Sequence, residues 1–129
     1  MIVVDTSVLM AILKTEPGAR DCWLRLKREQ QVSLSAGTLT EAMIVATRQG
    51  YRNEMQDLIA LTVSDVIDLT PSRAEHAASA YARWGKGFHP AGLNFGDCFS
   101  YTLAAELDCP LLFIGNDFAR TEIRSALAG

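Results

Sequence analysis

Residues 1–13 read MIVVDTSVLMAIL. Ile2, Val3 and Val4 form a short β-branched run, the pattern of a strand buried on both faces. Asp5, Thr6 and Ser7 follow, each of a type that caps helices. Val8 to Leu13 is then a short apolar helix. A strand that runs through an acid straight into a helix is the first half of a βα unit. If the rest of the chain repeats that unit, the fold is decided.

It does repeat it. Glu16-Pro17-Gly18 reads as a helix start, because an early proline gives up a donor that would be unpaired anyway. Ala19 to Arg28 continues that helix, with Cys22, Trp23 and Leu26 on one face. Val32 to Ser35 alternates and reads as a second strand. Thr38 to Arg48 is helical and stops at Gly50. Arg52 to Val63 is another amphipathic helix, and Val66 to Leu69 a third strand. Thr70-Pro71 opens a helix from Ser72 to Trp84. Residues 85–92, GKGFHPAG, combine glycines with a proline and form a loop. Asn94 begins a helix that runs through Leu107. Leu111 to Ile114 is a fourth strand, ended by Gly115; Asn116 to Ala119 is a turn or short helix, and Thr121 to Ile123 an edge strand. Strands alternating with helices imply an α/β fold. A central parallel sheet of four to five strands is covered by helices on both faces, as a three-layer sandwich with right-handed connections.

The chain has 129 residues, the size of a single domain spanning 1–129. Its 49% hydrophobic and 21% charged content is a globular balance. No apolar run is long enough to span a bilayer. The opening lacks the basic start and long apolar stretch of a signal peptide, so a cytoplasmic location is expected. Cys22, Cys98 and Cys109 form no metal-finger spacing and read as reduced, buried thiols. His76 and His89 are the only histidines, too few for a multi-histidine zinc site. A net charge of −3 argues against gripping nucleic acid with a general basic surface. It leaves room for an enzyme whose metal supplies positive charge at a phosphate.

Ligands of an open parallel sheet bind beyond the carboxyl ends of its strands. Asp5 follows strand one; Asn116 and Asp117 follow strand four. Glu41 and Asp97 lie in the first turns of helices that start on the same side. Each acid also has a plain structural reading. Asp5 caps a helix. Thr38-Leu39-Thr40-Glu41 and Asn94-Phe95-Gly96-Asp97 fit capping boxes, and Asn116-Asp117 suits a turn. Their conjunction points further. Carboxylates crowded at a strand-end crevice raise one another's pKa, and a cation among them relieves that. Oxygen ligands without imidazole or thiolate suit Mg²⁺ or Mn²⁺, metals that engage phosphates and activate water.

The opening MIVVDTSVLMAIL, the helical TLTEAMIV and the segment HPAGLNFGDCFSYTLAAELDCPLLFIGNDFARTEI resemble, in order and spacing, the motifs of PIN-domain ribonucleases, specifically VapC-type toxins of bacterial VapBC toxin–antitoxin pairs. The resemblance implies a magnesium-dependent endoribonuclease, with Mn²⁺ able to substitute. Its core acids are Asp5, Glu41 and Asp97, with Asp5 and Asp97 as direct metal ligands. Asp117 is the fourth acid, with Asn116 as a neutral alternative at that place, and Thr6 and Ser7 are supporting hydroxyls. Lys86 and Arg120 are the candidate RNA contacts; Arg48 and Arg52 read as solvated surface. Relatives carry more positive charge where Phe88 stands here; Phe88 reads as packed under its loop or against a partner, with stacking on an RNA base as the alternative, and His89 as ordering the loop. A cognate VapB-type antitoxin is implied, its tail entering the crevice, and so is a homodimer. Met43 to Ala46 and Leu58 to Leu61 are candidates for that interface, or plain core.

Other readings fit less well. A catalytically inactive PIN-fold binding module has little reason to keep Asp5, Glu41 and Asp97 together. Phosphatase-like and receiver-like domains pair acids after the first strand and place a Lys after a later one, whereas Asp5 stands alone and no Lys is near Gly115. No glycine-rich nucleotide fingerprint is present.

Overall fold

The computed structural model describes residues 1–127. Four strands, β1 (Ile2–Val4), β2 (Val32–Ser35), β3 (Asp65–Ile67) and β4 (Leu111–Leu112), form one parallel sheet in the order β3-β2-β1-β4. Six helices accompany them: α1 (Thr6–Leu13), α2 (Ala19–Arg28), α3 (Ala36–Gln49), α4 (Arg52–Thr62), α5 (Pro71–Trp84) and α6 (Phe95–Leu107). The alternating sheet side chains sort into two cores. Ile2, Val4, Val32, Leu34 and Leu112 pack with α1 to α4 on one face. Val3 and Leu111 pack with Ala77 and Ala80 of α5 and with Tyr101, Leu103 and Ala104 of α6 on the other. Both faces are covered, as a parallel sheet requires.

The strand order decides where a site can form. The chain moves outward from β1 to β2 to β3, then returns across the sheet to place β4 on the other side of β1. The direction reverses between β1 and β4, and an open α/β sheet leaves its crevice at that switch point. The backbones part there: Asp5 N–H still donates to Leu112 O at 3.0 Å, but Ile114 N–H donates to the Ser7 hydroxyl instead of to β1. That explains why β4 stops at Leu112 and not at Ile114 as the apolar run suggested.

Two other expectations shift. The edge pairing expected at Thr121 to Ile123 lies further on, where Leu111 N–H donates to Arg124 O and Ala126 N–H to Leu111 O. The helix expected to begin at Thr38 begins at Ala36, because Ser35 is its cap and accepts from Gly37 N–H. Thr38 is buried within the first turn. Gly37 lets α3 approach α6 beyond the strand ends: a Cβ there would lie 2.5 Å from the Phe99 ring.

Residues 85–93 form a closed excursion. Lys86 N–H donates to Leu93 O, and Leu93 N–H returns to Trp84 O. His89 orders the interior by accepting from Ala91 N–H through Nδ1. Phe88 does not pack under the loop: it meets Tyr81 edge-on and is 67% exposed. The expected interface segments divide. Ala46 and Leu58 are core, while Ile44 and Leu61 are 56% and 64% exposed. Cys22, Cys98 and Cys109 are free, buried thiols, as expected. No helix is long and apolar enough to cross a membrane among the described residues.

Candidate active site

Asp5 stands at the end of β1, 4% exposed. Its Oδ2 accepts from Ser7 N–H at 3.1 Å and so caps α1. Its Oδ1 accepts from the Ser100 hydroxyl of α6 at 2.6 Å. The plain structural reading therefore holds, but it uses only half of the carboxylate. Burial raises the Asp5 pKa, against the lowering effect of the Ser100 and Ser7 hydrogen bonds.

Ser100 is itself held. Thr38 Oγ1 lies 3.1 Å from its oxygen. A hydroxyl has one proton to give. The Ser100 proton goes to Asp5, so Thr38 donates to Ser100. A buried chain Thr38–Ser100–Asp5 thus ties α3, α6 and the end of β1 together. Neither Thr38 nor Ser100 was assigned this role from sequence; the available signal was that Ser100 follows Asp97 by three residues and so shares its helix face.

Glu41 is not a capping residue. It points away from its own helix start and accepts from the Thr6 hydroxyl at 2.6 Å. Burial raises its pKa first, the Thr6 hydrogen bond lowers it, and the charge of Asp5 raises it again. Thr6 thus has the expected role of orienting a carboxylate. Ser7 has a different one, since its hydroxyl accepts from Ile114 N–H and serves the β4 junction.

Asp97 keeps the capping role that its spacing allowed. It forms a full capping box with Asn94: Asp97 N–H donates to Asn94 Oδ1 at 2.8 Å, and Asn94 N–H donates to Asp97 Oδ2 at 3.0 Å. It is 6% exposed, and its pKa is pushed up to about 7. Burial is the main cause; the Asn94 hydrogen bond opposes it, and the charges of Asp5 and Asp117 add to it. The Asp117 side chain therefore stands close to that of Asp97. Asn116 offers only its carbonyl, to Ala119 N–H in a turn. Of the two candidates after β4, Asp117 is therefore the one that reaches the other acids.

The four acids form an open row, Glu41–Asp5–Asp97–Asp117, in which each neighbour's charge is felt by the next. Among the described residues no group of three such side chains is placed to hold a metal ion by itself. An open row fits Mg²⁺ better than a cage would, because that ion keeps several waters and takes one or two protein carboxylates. Lys86 and Arg120 are both exposed. Arg52 donates to Thr47 on the surface, as expected, and Glu16 pairs with Lys14 at 4.0 Å. A separate apolar groove of about 460 Å³, lined by Leu69, Tyr81, Phe95 and Phe99, contains no carboxylate.

Ser100→Ala is the direct test of the buried hydroxyl chain. It removes the partner of Thr38 Oγ1 and of Asp5 Oδ1, while Asp5 Oδ2 keeps the Ser7 amide. We expect a loss of about 1–3 kcal/mol in denaturant unfolding, and a fall of about ten- to a hundred-fold in any activity that depends on Asp5.

The PIN domain family matches residues 2–123. The ribonuclease VapC28 of Mycobacterium tuberculosis is 40% identical over 129 residues, covering 97% of this chain and 97% of that one. Among solved structures, Mycobacterium tuberculosis VapC20, described as a sarcin-ricin loop cleaving toxin, superposes with a TM-score of 0.74 at 18% identity, over 95% of this chain and 96% of that one. A toxin–antitoxin complex from Klebsiella pneumoniae superposes with a TM-score of 0.73 at 16% identity, over 98% of each. The structures speak for the fold and the identity for descent: the chain belongs to the PIN-domain family, among its VapC-type members.

Proposed function

We propose that the protein is a Mg²⁺-dependent endoribonuclease, with Mn²⁺ able to substitute, acting at the row Glu41–Asp5–Asp97–Asp117 and restrained by a VapB-type antitoxin. One observation carries the reading: four acids from separate elements gather at the strand ends, where burial and the charges of Asp5 and Asp117 raise the pKa of Glu41 and Asp97, and none of the four is in an ion pair among the described residues. The ion pairs of the described residues lie elsewhere, at Glu29, Glu16, Glu106 and Asp108. A site built to lack positive charge is a site that receives it from outside.

Asp5 and Asp97 would hold the ion. Ser100 and the Ser7 and Asn94 amides fix their carboxyl groups, leaving lone pairs free. A magnesium ion held there would supply the positive charge that an RNA phosphate needs to approach these acids and that a water needs to act as a nucleophile near neutral pH. Glu41, oriented by Thr6 and raised in pKa, takes the proton from the attacking water. Attack is in line. The bond from phosphorus to the 3′ oxygen breaks and the departing oxygen takes a proton from solvent, leaving a 5′-phosphate and a 3′-hydroxyl. Asp117 would help hold the ion, and the exposed Lys86 and Arg120 would meet the RNA backbone.

The same deficit of positive charge suits an antitoxin tail that presents an arginine to the acids. The Klebsiella pneumoniae assembly with this fold is a toxin–antitoxin complex, and VapC28 is named a ribonuclease. The exposed Ile44 and Leu61 offer apolar surface to a second copy in a homodimer. The protein acts in the cytoplasm, where RNA and antitoxin are found.

Purified protein incubated with RNA and Mg²⁺ should yield fragments that a 5′-phosphate-dependent exonuclease degrades. Excess EDTA should abolish cleavage and Mn²⁺ should restore it. Undiminished cleavage in EDTA would sink the assignment.

A further inference from the structure

Residue 96 has no side chain, and the carboxyl group of Glu41 occupies the volume that one would fill. A Cβ built on Gly96 would stand 1.7 Å from Glu41 Oε2 and 2.4 Å from its carboxyl carbon. Gly96 is buried in the first turn of α6, directly before Asp97. Its backbone is ordinary for a helix, because Gly96 is absent from the positive-φ glycines. Alanine would fit that backbone and would favour the helix over glycine. What alanine could not do is share the space with Glu41.

We infer that Gly96 is a positioning residue for Glu41: its missing side chain is the cradle that seats the Glu41 carboxyl against the start of α6. The inference deepens the nuclease reading and rests on it for its catalytic consequence. The cradle has two walls. Thr6 holds Oε1 by a 2.6 Å hydrogen bond, and the bare backbone of Gly96 receives Oε2. The seat also puts the carboxylate at a helix N-terminus, where negative charge is favoured. Because the clashing atoms are the free end of a long side chain, a methyl group at 96 displaces Glu41 without breaking the fold. The cost therefore falls on proton transfer, where a displacement of about 1 Å is worth on the order of a hundred-fold.

Two readouts test this separately from the nuclease assignment. The first uses metal-free protein and needs no cleavage: the melting temperature shift caused by Gly96→Ala is compared in the native and Glu41→Ala backgrounds. The methyl group should raise the melting temperature in the Glu41→Ala background and should lower it or leave it unchanged with Glu41 present. Equal shifts in both backgrounds would overturn the inference, even if the protein cuts RNA. The second readout is kinetic. Gly96→Ala should lower kcat by about ten- to a hundred-fold with KM little changed. Glu41→Asp draws the carboxyl back by one methylene, so the double variant should lose less than the product of the two single losses. Glu41→Gln keeps the length and should give no such relief. A Gly96→Ala protein with native kcat, or a double variant that loses the full product, would refute the cradle. Should Gly96→Ala alone fail to fold while Gly96→Ala with Glu41→Ala folds, the conflict between the two side chains is shown directly; failure of both would refute it.

Discussion

Asp97→Asn is expected to abolish RNA cleavage and at the same time to raise the melting temperature of the metal-free protein. The two effects share one cause. Asp97 is buried beside Asp5 and Asp117, and its pKa is pushed up to about 7, so near neutral pH the folded protein carries a charge it poorly tolerates. Asparagine removes the charge and keeps the hydrogen bond, because its side-chain oxygen can still accept from Asn94 N–H. The capping box therefore survives in part. Cleavage does not, since a neutral amide is a poor ligand for a hard dication, and we expect a loss of about a thousand-fold or more. Thermal melting in EDTA beside a cleavage assay on the same preparation checks both halves. A variant that is both active and unchanged in stability would contradict the site.

The second large effect is on the pH dependence of stability. The unfolded chain releases the Asp97 proton near 3.8, while the folded protein holds it to about 7. Between those values the folded state carries more protons, so stability falls as pH rises; the contribution is complete below the lower value and gone above the upper one. Asp5 and Glu41 are raised in the same direction, chiefly by burial. Glu29 and Glu106 behave oppositely, held down by Arg25 and Arg73, but their contribution is lost only at acidic pH. In EDTA, then, melting temperature should decline by several degrees from about pH 5 to pH 7.5. Mg²⁺ should flatten the decline, because bound cation favours the charged acids and stabilises only the folded form. The Asp97→Asn protein should show a weaker slope. A flat profile in EDTA for the native protein would mean that burial and the neighbouring charges do not raise Asp97 in the fold.

Much of this was legible in residues 1–13 and their later echoes, because strand and helix differ in hydrophobic period and because Asp5, Thr70 and Asn94 mark helix starts that the structure keeps. The start of α3 was not. Thr38 and Glu41 have capping-box spacing, yet Ser35 is the cap, and Thr38 and Glu41 turn to Ser100 and Thr6. Spacing within a helix cannot register a partner that another helix supplies. The site acids were legible as types at strand ends and helix starts. What fixes them was not: Ser100, Thr38 and Gly96 look like ordinary helix residues until α3 and α6 are brought together. A glycine inside a helix is the one local oddity, since it costs about 1 kcal/mol relative to alanine.

The excursion from Gly85 to Leu93 has a consequence for diversification. Its two ends are stapled by main-chain bonds, Lys86 to Leu93 and Leu93 to Trp84, and these do not depend on which side chains lie between them. Such a segment works like a replaceable tip. Its side chains touch α5 only at two places, Phe88 edge-on to Tyr81 and His89 edge-on to Trp84, so residues elsewhere in it can be exchanged while the main-chain staple stays in place.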